Sequence, residues 1–556
     1  MAGVTHGTRE PESDHVVGFL DIGTSSVRLM LVLIGPGHAY RVINLQREVV
    51  RLGDEEFGDS LLRPAAIERA VAVCRSFAEL ARLAGASQIV AAATSATREA
   101  RNQAALLARL RDEAGVDVHV VSGREEARLI YLSVLGSVDL GERTSLCLDI
   151  GGGSTEVIVG DASQPLFLDS LPLGAVRLAG DPDLPDVSRR VSAAGYKRLQ
   201  RAVRLASVRA VSAVNARKVD VAYGTSGTIR SLAAVSARVL HGREPQRDQV
   251  LTLPDLRKTI KLLRTATLDE RRRLPGLKPD RADVVIAGAA VLETLMTDLK
   301  LPSVTALSEG GLRKGLLMDY LSRSTSASHV HELSVRERSL MRLVHVSGAD
   351  EVHARHVAYL ALELFDSARK VGLHGLGAAE RELLHGAALT HDVGSLISYA
   401  DHHVHSAYLI GNADLLGFDQ REIAVMASTA LFHRKARPSA RHGLNARLDA
   451  ADRKTVRTLS TALRLAELLD RSHTGAVRHA RLEAGSSRRE LVLWLATEGP
   501  AQLELWGLEK RRGSTEKTLR RRLSIVTTPA LGGPDFTDLR PTARLARTED
   551  RASCLV

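Results

Sequence analysis

The sequence predicts an α/β fold made of two duplicated lobes, followed by an all-α domain and a small β-containing C-terminal domain. Three observations carry that expectation. The first half alternates strand-like and helix-like segments. One strand–turn–strand unit, built around Asp-Ile-Gly, occurs twice within it. After about residue 325 the apolar spacing becomes helical.

Taken in order, Val16 to Asp21 and Leu29 to Ile34 read as buried strands around a tight turn. Ala65 to Ala84 has the spacing of an amphipathic helix, Gln88 to Ala93 that of a strand, and Ala96 to Glu113 that of a second helix. Val116 to Val121 is a strand and Glu125 to Leu135 a helix; Ser145 to Ile150 and Glu156 to Gly160 then repeat the opening pattern. Ser326 to Ser334, polar and rich in Ser and His, reads as a linker. Val357, Leu360 and Leu364, then Leu465, Leu468 and Leu469, mark helices up to about residue 475. The alternating run Glu490-Leu-Val-Leu-Trp-Leu, with basic clusters around Arg511 and Arg520, marks the C-terminal domain. The expected divisions are a flexible tail at 1–14, lobes at 15–136 and 137–325, a helical domain at 326–477, and the small domain with its loose end at 478–556.

A chain of 556 residues is too long for one core. Its 44% hydrophobic and 25% charged residues exclude a largely disordered chain and a membrane bundle. Cys74, Cys147 and Cys554 show no Cys-x-x-Cys spacing, and their odd number argues against a disulfide framework. The first residues lack a basic-then-apolar signal pattern, and no apolar run approaches the roughly 20 residues that cross a bilayer. Cys554 stands one place too late for a prenylation box. These features predict a cytoplasmic protein without a membrane partner. The net charge of +11 favours a polyanion such as polyphosphate, nucleic acid or a lipid surface, and equally fits Arg spread over solvated faces. No polybasic run is interleaved with aromatics, so no specific nucleic-acid partner is expected.

Asp21-Ile-Gly-Thr-Ser-Ser26 and Asp149-Ile-Gly-Gly-Gly-Ser-Thr155 each follow an apolar strand and precede another. Gly23, Gly151, Gly152 and Gly153 let backbone N–H groups approach a phosphate, and the hydroxyls of Thr24, Ser25, Ser26, Ser154 and Thr155 add donors. A leading carboxylate repels phosphate, so Asp21 and Asp149 are candidates to hold Mg²⁺ or another divalent cation. One such loop reads as readily as an ordinary turn. Two with the same Asp-Ile-Gly, 128 positions apart, point to duplicated halves facing each other across a phosphate cleft. Arg98, ending a strand–turn block, fits a bidentate phosphate clamp. A Walker-type GxxxxGK[ST] is absent, and Asp181-Pro-Asp183 reads as a turn in a Pro-rich loop.

The arrangement resembles the actin, hexokinase and acetate kinase superfamily. Within it, six blocks in order resemble the exopolyphosphatase and guanosine pentaphosphate phosphohydrolase family. They begin with Val17-Gly-Phe-Leu-Asp-Ile-Gly-Thr-Ser-Ser-Val27, Ala92-Ala-Thr-Ser-Ala-Thr-Arg98 and Ser122-Gly-Arg-Glu-Glu-Ala-Arg-Leu-Ile130. Asp149-Ile-Gly-Gly-Gly-Ser-Thr-Glu156, Tyr223-Gly-Thr-Ser-Gly-Thr-Ile-Arg230 and Leu307-Ser-Glu-Gly-Gly-Leu-Arg-Lys-Gly315 complete them. The resemblance implies that Glu126 acts as general base or water positioner, with Glu125 the weaker candidate. It also implies that Glu156 serves catalysis or metal positioning. Unaided by the resemblance, Glu125 and Glu126 read as helix-start carboxylates and Glu156 as an edge-strand charge. Gly224 to Thr228 and Gly310-Gly311 lie where nucleotide-binding relatives hold adenosine, and equally read as close-packing turns. A homodimer is implied by the family alone.

His353, His391-Asp392 and a later carboxylate resemble the HD metal phosphohydrolases. Two departures count against a working metal site: Ser395 stands where Lys is common, and Glu467, with Asp470 a turn later, replaces the usual final Asp. The expectation is therefore a structural relic or a polyphosphate-guiding surface. His402-His403-Val-His405 and His433-Arg-Lys read as a basic anion track if the histidines protonate. The expected function is Mg-dependent processive exopolyphosphatase, with guanosine pentaphosphate 5′-phosphohydrolase as the alternative. A non-catalytic phosphate or nucleotide sensor and an HD-type nucleotide phosphohydrolase are the competing classes.

Overall fold

The computed structural model describes residues 14–35, 40–53, 60–323, 334–413, 415–434, 448–487 and 489–529. The chain forms two compact units, residues 1–330 and 331–556. The expected N-terminal tail, the loose C-terminal end and most of the linker at 326–334 lie outside the described residues. Ser334 is described, and its side chain caps the helix Val335–Ser347.

The first unit holds two mixed sheets. One comprises β1 (His15–Ile22), β2 (Ser26–Ile34), β3 (Tyr40–Val49), β4 (Ala86–Ala93) and β5 (Val118–Val120), in the order β3-β2-β1-β4-β5. The other comprises β6 (Ser145–Ile150), β7 (Thr155–Gly160), β8 (Pro165–Leu171), β9 (Val221–Thr225), β10 (Gln249–Thr252) and β11 (Ser303–Ala306), in the order β10-β11-β9-β6-β7-β8. In each, an antiparallel hairpin pairs on through its first strand to a parallel strand: β1–β2 with β4, and β6–β7 with β9. β3 and β8 occupy the same place in the two sheets. The duplication read from two short loops is thus a duplication of whole sheets.

Two-residue alternation sends the hairpin side chains into two different cores. Leu20, Ile22, Val27, Leu29 and Leu31 pack with the helix Pro64–Leu83, while Val17, Phe19, Met30, Val32 and Ile34 face the other way. That second core also takes Cys147, Ile158 and Tyr223 from the other sheet, plus the helices Gly123–Leu135 and Leu312–Arg323. The two helices approach closely: a Cβ on Gly315 would sit 2.1 Å from the Leu129 carbonyl oxygen. The helix Val285–Asp298, apolar on all sides, is buried almost throughout, as such a helix must be.

Two local expectations need correction. The helix expected over Ala96–Glu113 is two helices, Ser95–Glu99 and Gln103–Ala114. The break lies beside Asn102, whose side chain accepts from Leu62 N–H and donates to the Leu62 carbonyl instead of serving a helix. The strand β3 was not expected, because an outer strand with mostly solvated faces lacks a buried alternation.

In the second unit, the helices Val335–Ser347, Glu351–Lys370, Ala378–Leu389, His402–Asn412, Gln420–Leu431 and Ala450–Leu469 share one apolar core. That core continues into a sheet of β12 (Val477–Ala484), β13 (Glu490–Thr497) and β14 (Arg522–Pro529). β13 and β14 pair in parallel, joined by the crossover helix Gln502–Leu519. Among the described residues, no helix is long and apolar enough to cross a membrane.

Candidate active site

Both Asp-Ile-Gly loops are tight hairpin turns. Gly23 N–H donates to the Ser26 carbonyl at 3.1 Å, and Gly151 N–H to the Ser154 carbonyl at 2.9 Å. These two N–H groups therefore close the turns and are not the ones turned to a phosphate. The loops meet each other. A Cβ on Gly153 would lie 2.8 Å from Thr24 Oγ1 and 2.4 Å from Ser95 Oγ, and one on Gly152 would lie 2.9 Å from Thr24 Cβ. Only glycine lets the second loop come this near to the first. Behind it, a Cβ on Gly174 would sit 2.0 Å from the Gly152 carbonyl oxygen. Thr24, Ser26, Ser154 and Thr155 are buried and Ser25 is half-buried. The Thr155 hydroxyl is committed to the Leu173 carbonyl, and Ser26 Oγ accepts from Arg28 Nε at 3.1 Å.

Four carboxylates are buried around this junction: Asp21, Glu126, Asp149 and Glu156. Asp21 and Asp149 end β1 and β6 one residue before the turn. Glu126 lies in the first turn of Gly123–Leu135, a helix capped by Ser122, whose Oγ accepts from Glu125 N–H. Glu156 is not on an edge strand. β7 lies between β6 and β8, and Glu156 is 1% exposed, with Oε1 accepting from Ser170 Oγ at 2.8 Å.

Burial raises all four acids. It pushes Glu126 up to about 7, against the pull of Arg98, with Asp149 and Asp21 adding to the rise. It lifts Glu156 well above the usual carboxylate range, helped by Glu126 and Asp149. Asp21 rises through burial, opposed by Arg28 and Arg313, and Asp149 rises through burial. Buried Asp149 Oδ1 has no hydrogen-bond partner. Carboxylate oxygens are the ligands a hard divalent cation takes, and the orphaned Asp149 Oδ1 is one available to it.

Arg98, the candidate phosphate clamp, donates from Nη1 to Glu126 Oε2 and to the Val121 carbonyl, both at 2.9 Å. Glu125 is engaged with Arg128, at 2.7 and 2.8 Å. Gly224 and Gly227 are packing glycines, since added Cβ atoms would strike Ile229 at 2.7 Å and the Arg281 guanidinium at 2.1 Å.

Sequence reasoning missed a set of cations, of which Arg28 and Arg313 act on Asp21, and Arg28 and Arg230 on Asp149. Arg28 Nη1 stands 3.7 Å from Asp21 Oδ2, and Arg313 Nη1 donates to the Leu29 carbonyl at 2.9 Å. Arg230 Nη1 donates to the Ser308 carbonyl at 2.8 Å. Burial, with Arg28, Arg47 and Arg230 adding like-charge repulsion, depresses Arg281 to about 10. Burial likewise depresses Arg313 to about 10, with Arg28, Arg230 and Arg47 contributing. Lys278 is lowered too, by burial and then by Arg47, Arg281 and Arg230. Cations that repel one another in a partly desolvated place are relieved by a multiply charged anion. The available signal was position: Arg28 follows the first block, Arg230 closes the fifth, and Arg313 lies inside the sixth.

In the second unit, His353, His391 and Asp392 come together with ligand atoms within 4.8 Å. The basic track expected from His402, His403 and His433 is corrected: all three rings are buried, and burial pushes His433 down to about 3, so they are not a charged surface.

Residues 31–324 match the Ppx/GppA phosphatase family, and residues 335–511 match Ppx/GppA phosphatase, domain III. Exopolyphosphatase 1 of Mycobacterium leprae is 32% identical over 323 residues, 58% of this chain and 94% of that protein. Guanosine-5'-triphosphate,3'-diphosphate pyrophosphatase of Pseudoalteromonas translucida is 29% identical over 436 residues, 77% of this chain and 82% of its own. The crystal structure of an exopolyphosphatase from Cytophaga hutchinsonii superposes with a TM-score of 0.52 at 25% identity, over 56% of this chain and all of that one. With both units matched, and with paired hairpins, buried acids and arginines in place, the chain belongs to the Ppx/GppA phosphatase family.

Proposed function

We propose that the first unit is a Mg²⁺-dependent exopolyphosphatase that removes terminal phosphates processively from inorganic polyphosphate. The observation that carries this reading is four buried carboxylates at the junction of two glycine-rich hairpins, with the half-buried Arg28, Arg281 and Arg313 and the exposed Arg230 grouped beside them. Acids supply the groups that hold a cation and take a proton, and the guanidiniums suit several consecutive phosphates.

Glu126 is the general base. Arg98 fixes its Oε2, leaving Oε1 to accept a proton from the attacking water. The water oxygen bonds to the terminal phosphorus, the P–O bond of the anhydride breaks, and the shortened chain leaves on its own oxygen. Glu156, held by the Ser170 hydroxyl and coupled to Glu126 and Asp149, is the second acid, serving catalysis or positioning of the cation. Asp21 and Asp149 would hold Mg²⁺, which when bound neutralises phosphate charge. Gly152, Gly153 and Thr24 line the contact between the hairpins, where backbone N–H groups of the second loop can face phosphate oxygens. Arg28, Arg230, Arg281 and Arg313 bind the following phosphates.

A second reading is guanosine pentaphosphate 5′-phosphohydrolase, favoured by the longer match to the Pseudoalteromonas relative, 77% of this chain. The acids and the attack geometry are the same for either substrate. Cytoplasmic location and a homodimer go with either, on family analogy.

The test is phosphate release from long polyphosphate and from guanosine pentaphosphate with Mg²⁺, for wild type, Glu126→Gln and Asp392→Ala. Faster turnover of the polymer, lost in Glu126→Gln and kept in Asp392→Ala, supports the proposal. Activity kept in Glu126→Gln and lost in Asp392→Ala would move the chemistry to the second unit.

A further inference from the structure

The second unit carries two triads of metal-ligating side chains that share one carboxylate. His353, His391 and Asp392 form one, and Asp392, His402 and His433 the other, each with ligand atoms within 4.8 Å of one another. Glu467 joins the first, its Oε2 3.0 Å from His391 Nε2 and 3.4 Å from His353 Nε2. The groups arrive from separate elements. His353 stands on Glu351–Lys370, His391 and Asp392 follow Ala378–Leu389, and His402 opens His402–Asn412. His433 follows Gln420–Leu431, and Glu467 lies on Ala450–Leu469. Gly394 permits the assembly, because a Cβ there would lie 2.2 Å from the His402 carbonyl oxygen.

The hydrogen bonds set which ring nitrogen points inward. His391 Nδ1 lies 2.7 Å from the Ala388 carbonyl oxygen, and His433 Nδ1 2.6 Å from that of Ala430. A carbonyl only accepts, so each Nδ1 carries the hydrogen and a neutral ring keeps its lone pair on Nε2. His353 Nδ1 lies 2.8 Å from Asp470 Oδ2, and Asp470 Oδ1 accepts from Gly475 N–H at 2.9 Å. This carboxylate–imidazole pairing is the arrangement that orients metal-bound histidines. Inward, His353 and His391 Nε2 face the Glu467 carboxylate, and His433 Nε2 faces His402 Nε2.

His402 Nε2 stands 3.1 Å from both Asp392 Oδ1 and His433 Nε2. Its Nδ1 lies 3.0 Å from both the Tyr399 carbonyl and Arg434 Nη1, so either tautomer is accommodated. His353, 2% exposed, directs Nε2 at the Glu467 carboxylate without a well-aligned hydrogen bond, and Asp392 Oδ1 makes none with His402 Nε2 despite their 3.1 Å separation. With neutral rings these nitrogens and carboxylate oxygens would set lone pairs against lone pairs, a cost that a cation between them, or a proton on the rings, removes.

We propose that this cluster is a site for two divalent transition-metal ions bridged by Asp392, one held by His353, His391 and Glu467, the other by His402 and His433. Imidazole-rich ligation selects Zn²⁺, Mn²⁺, Fe²⁺ or Co²⁺ over the Mg²⁺ suited to an all-carboxylate set. The site is separate from the cation position of the first unit and does not depend on that reading.

Full-length protein stripped with a chelator is titrated with Co²⁺, following visible ligand-field absorption and metal content after gel filtration. An Asp21→Asn/Asp149→Asn variant runs beside it to remove the carboxylate site. Two Co²⁺ per chain with nitrogen-type spectra are expected in both proteins, and any additional, oxygen-ligated Co²⁺ in the wild type is absent from the double variant. His433→Gln and His391→Gln should each retain one. Asp470→Asn, which touches no ion, should weaken uptake about 10- to 100-fold. The wild-type titration needs no variant to fold, and circular dichroism confirms the fold of the substituted chains. No cobalt uptake would overturn the proposal in favour of a hydrogen-bonded network with His402 Nε2–H donating to its neighbours. A single ion that survives His433→Gln, or a stoichiometry indifferent to both histidine substitutions, would overturn it too.

Discussion

The hairpins β1–β2 and β6–β7 have the same backbone plan and opposite electrostatics. In the first, the strand register sets Asp21 across from Arg28; in the second it sets Asp149 across from Glu156. Both turns close with the same glycine N–H bond to a serine carbonyl. Duplication therefore supplies the geometry, and the residue opposite the leading aspartate supplies the difference. The cation opposite Asp21 suits the substrate side of the junction. The second acid opposite Asp149 leaves that hairpin with no cation across its strands. Two identical hairpins would give either excess repulsion or no substrate affinity.

The strongest way to break this comparison is to make the first hairpin like the second. Arg28→Glu would place a fifth buried carboxylate at the junction and should abolish measurable turnover of polyphosphate while the chain stays folded, read by steady-state kinetics and circular dichroism. Arg28→Ala should be milder, raising KM about 10- to 100-fold through loss of a charged hydrogen bond worth ~1.5–3 kcal/mol.

Next in size is the packing between the hairpins. Gly153→Ala pushes a methyl group against Ser95 and Thr24, a clash of the kind that costs ~1–3 kcal/mol, and should lower Tm and kcat together. The equivalent first-hairpin change, Gly23→Ala, places its Cβ 3.2 Å from the Ser26 carbonyl oxygen and should cost less. A smaller effect sharpens the role of Glu126. Its carboxyl is raised to about 7 and must be ionised to take a proton. Below that pH the base is protonated, so kcat should fall about tenfold per pH unit and level off above it. Removing Arg98, whose charge opposes the rise, should move the midpoint upward in Arg98→Met.

The hairpins were legible in the sequence because they are local. Asp-Ile-Gly, a run of small residues and flanking apolar strands lie within about a dozen positions, and the duplication was visible as a repeat. The α/β alternation and the helical second half were legible for the same reason, through periodicity. What escaped was long-range. Arg281 reaches the cleft because Gly227, 54 positions earlier, leaves room for its guanidinium. Arg98 is close in sequence to the loops yet serves Glu126, a pairing that only the packing of Gly123–Leu135 determines. His402 and His433 looked like a surface track because their polarity was visible and their burial was not. The outer strand β3 left no alternation to read.

The most direct test of the division of labour between the cation of the first hairpin and the acids of the junction is the KM-against-kcat split of Arg28→Ala and Glu126→Gln on long polyphosphate, measured side by side with Mg²⁺. Arg28→Ala should raise KM with kcat nearly unchanged, and Glu126→Gln should lower kcat by about 10²–10⁴ with KM nearly unchanged. Equal losses in the same parameter for both variants would contradict it, because the two sides of the junction would then be doing the same job.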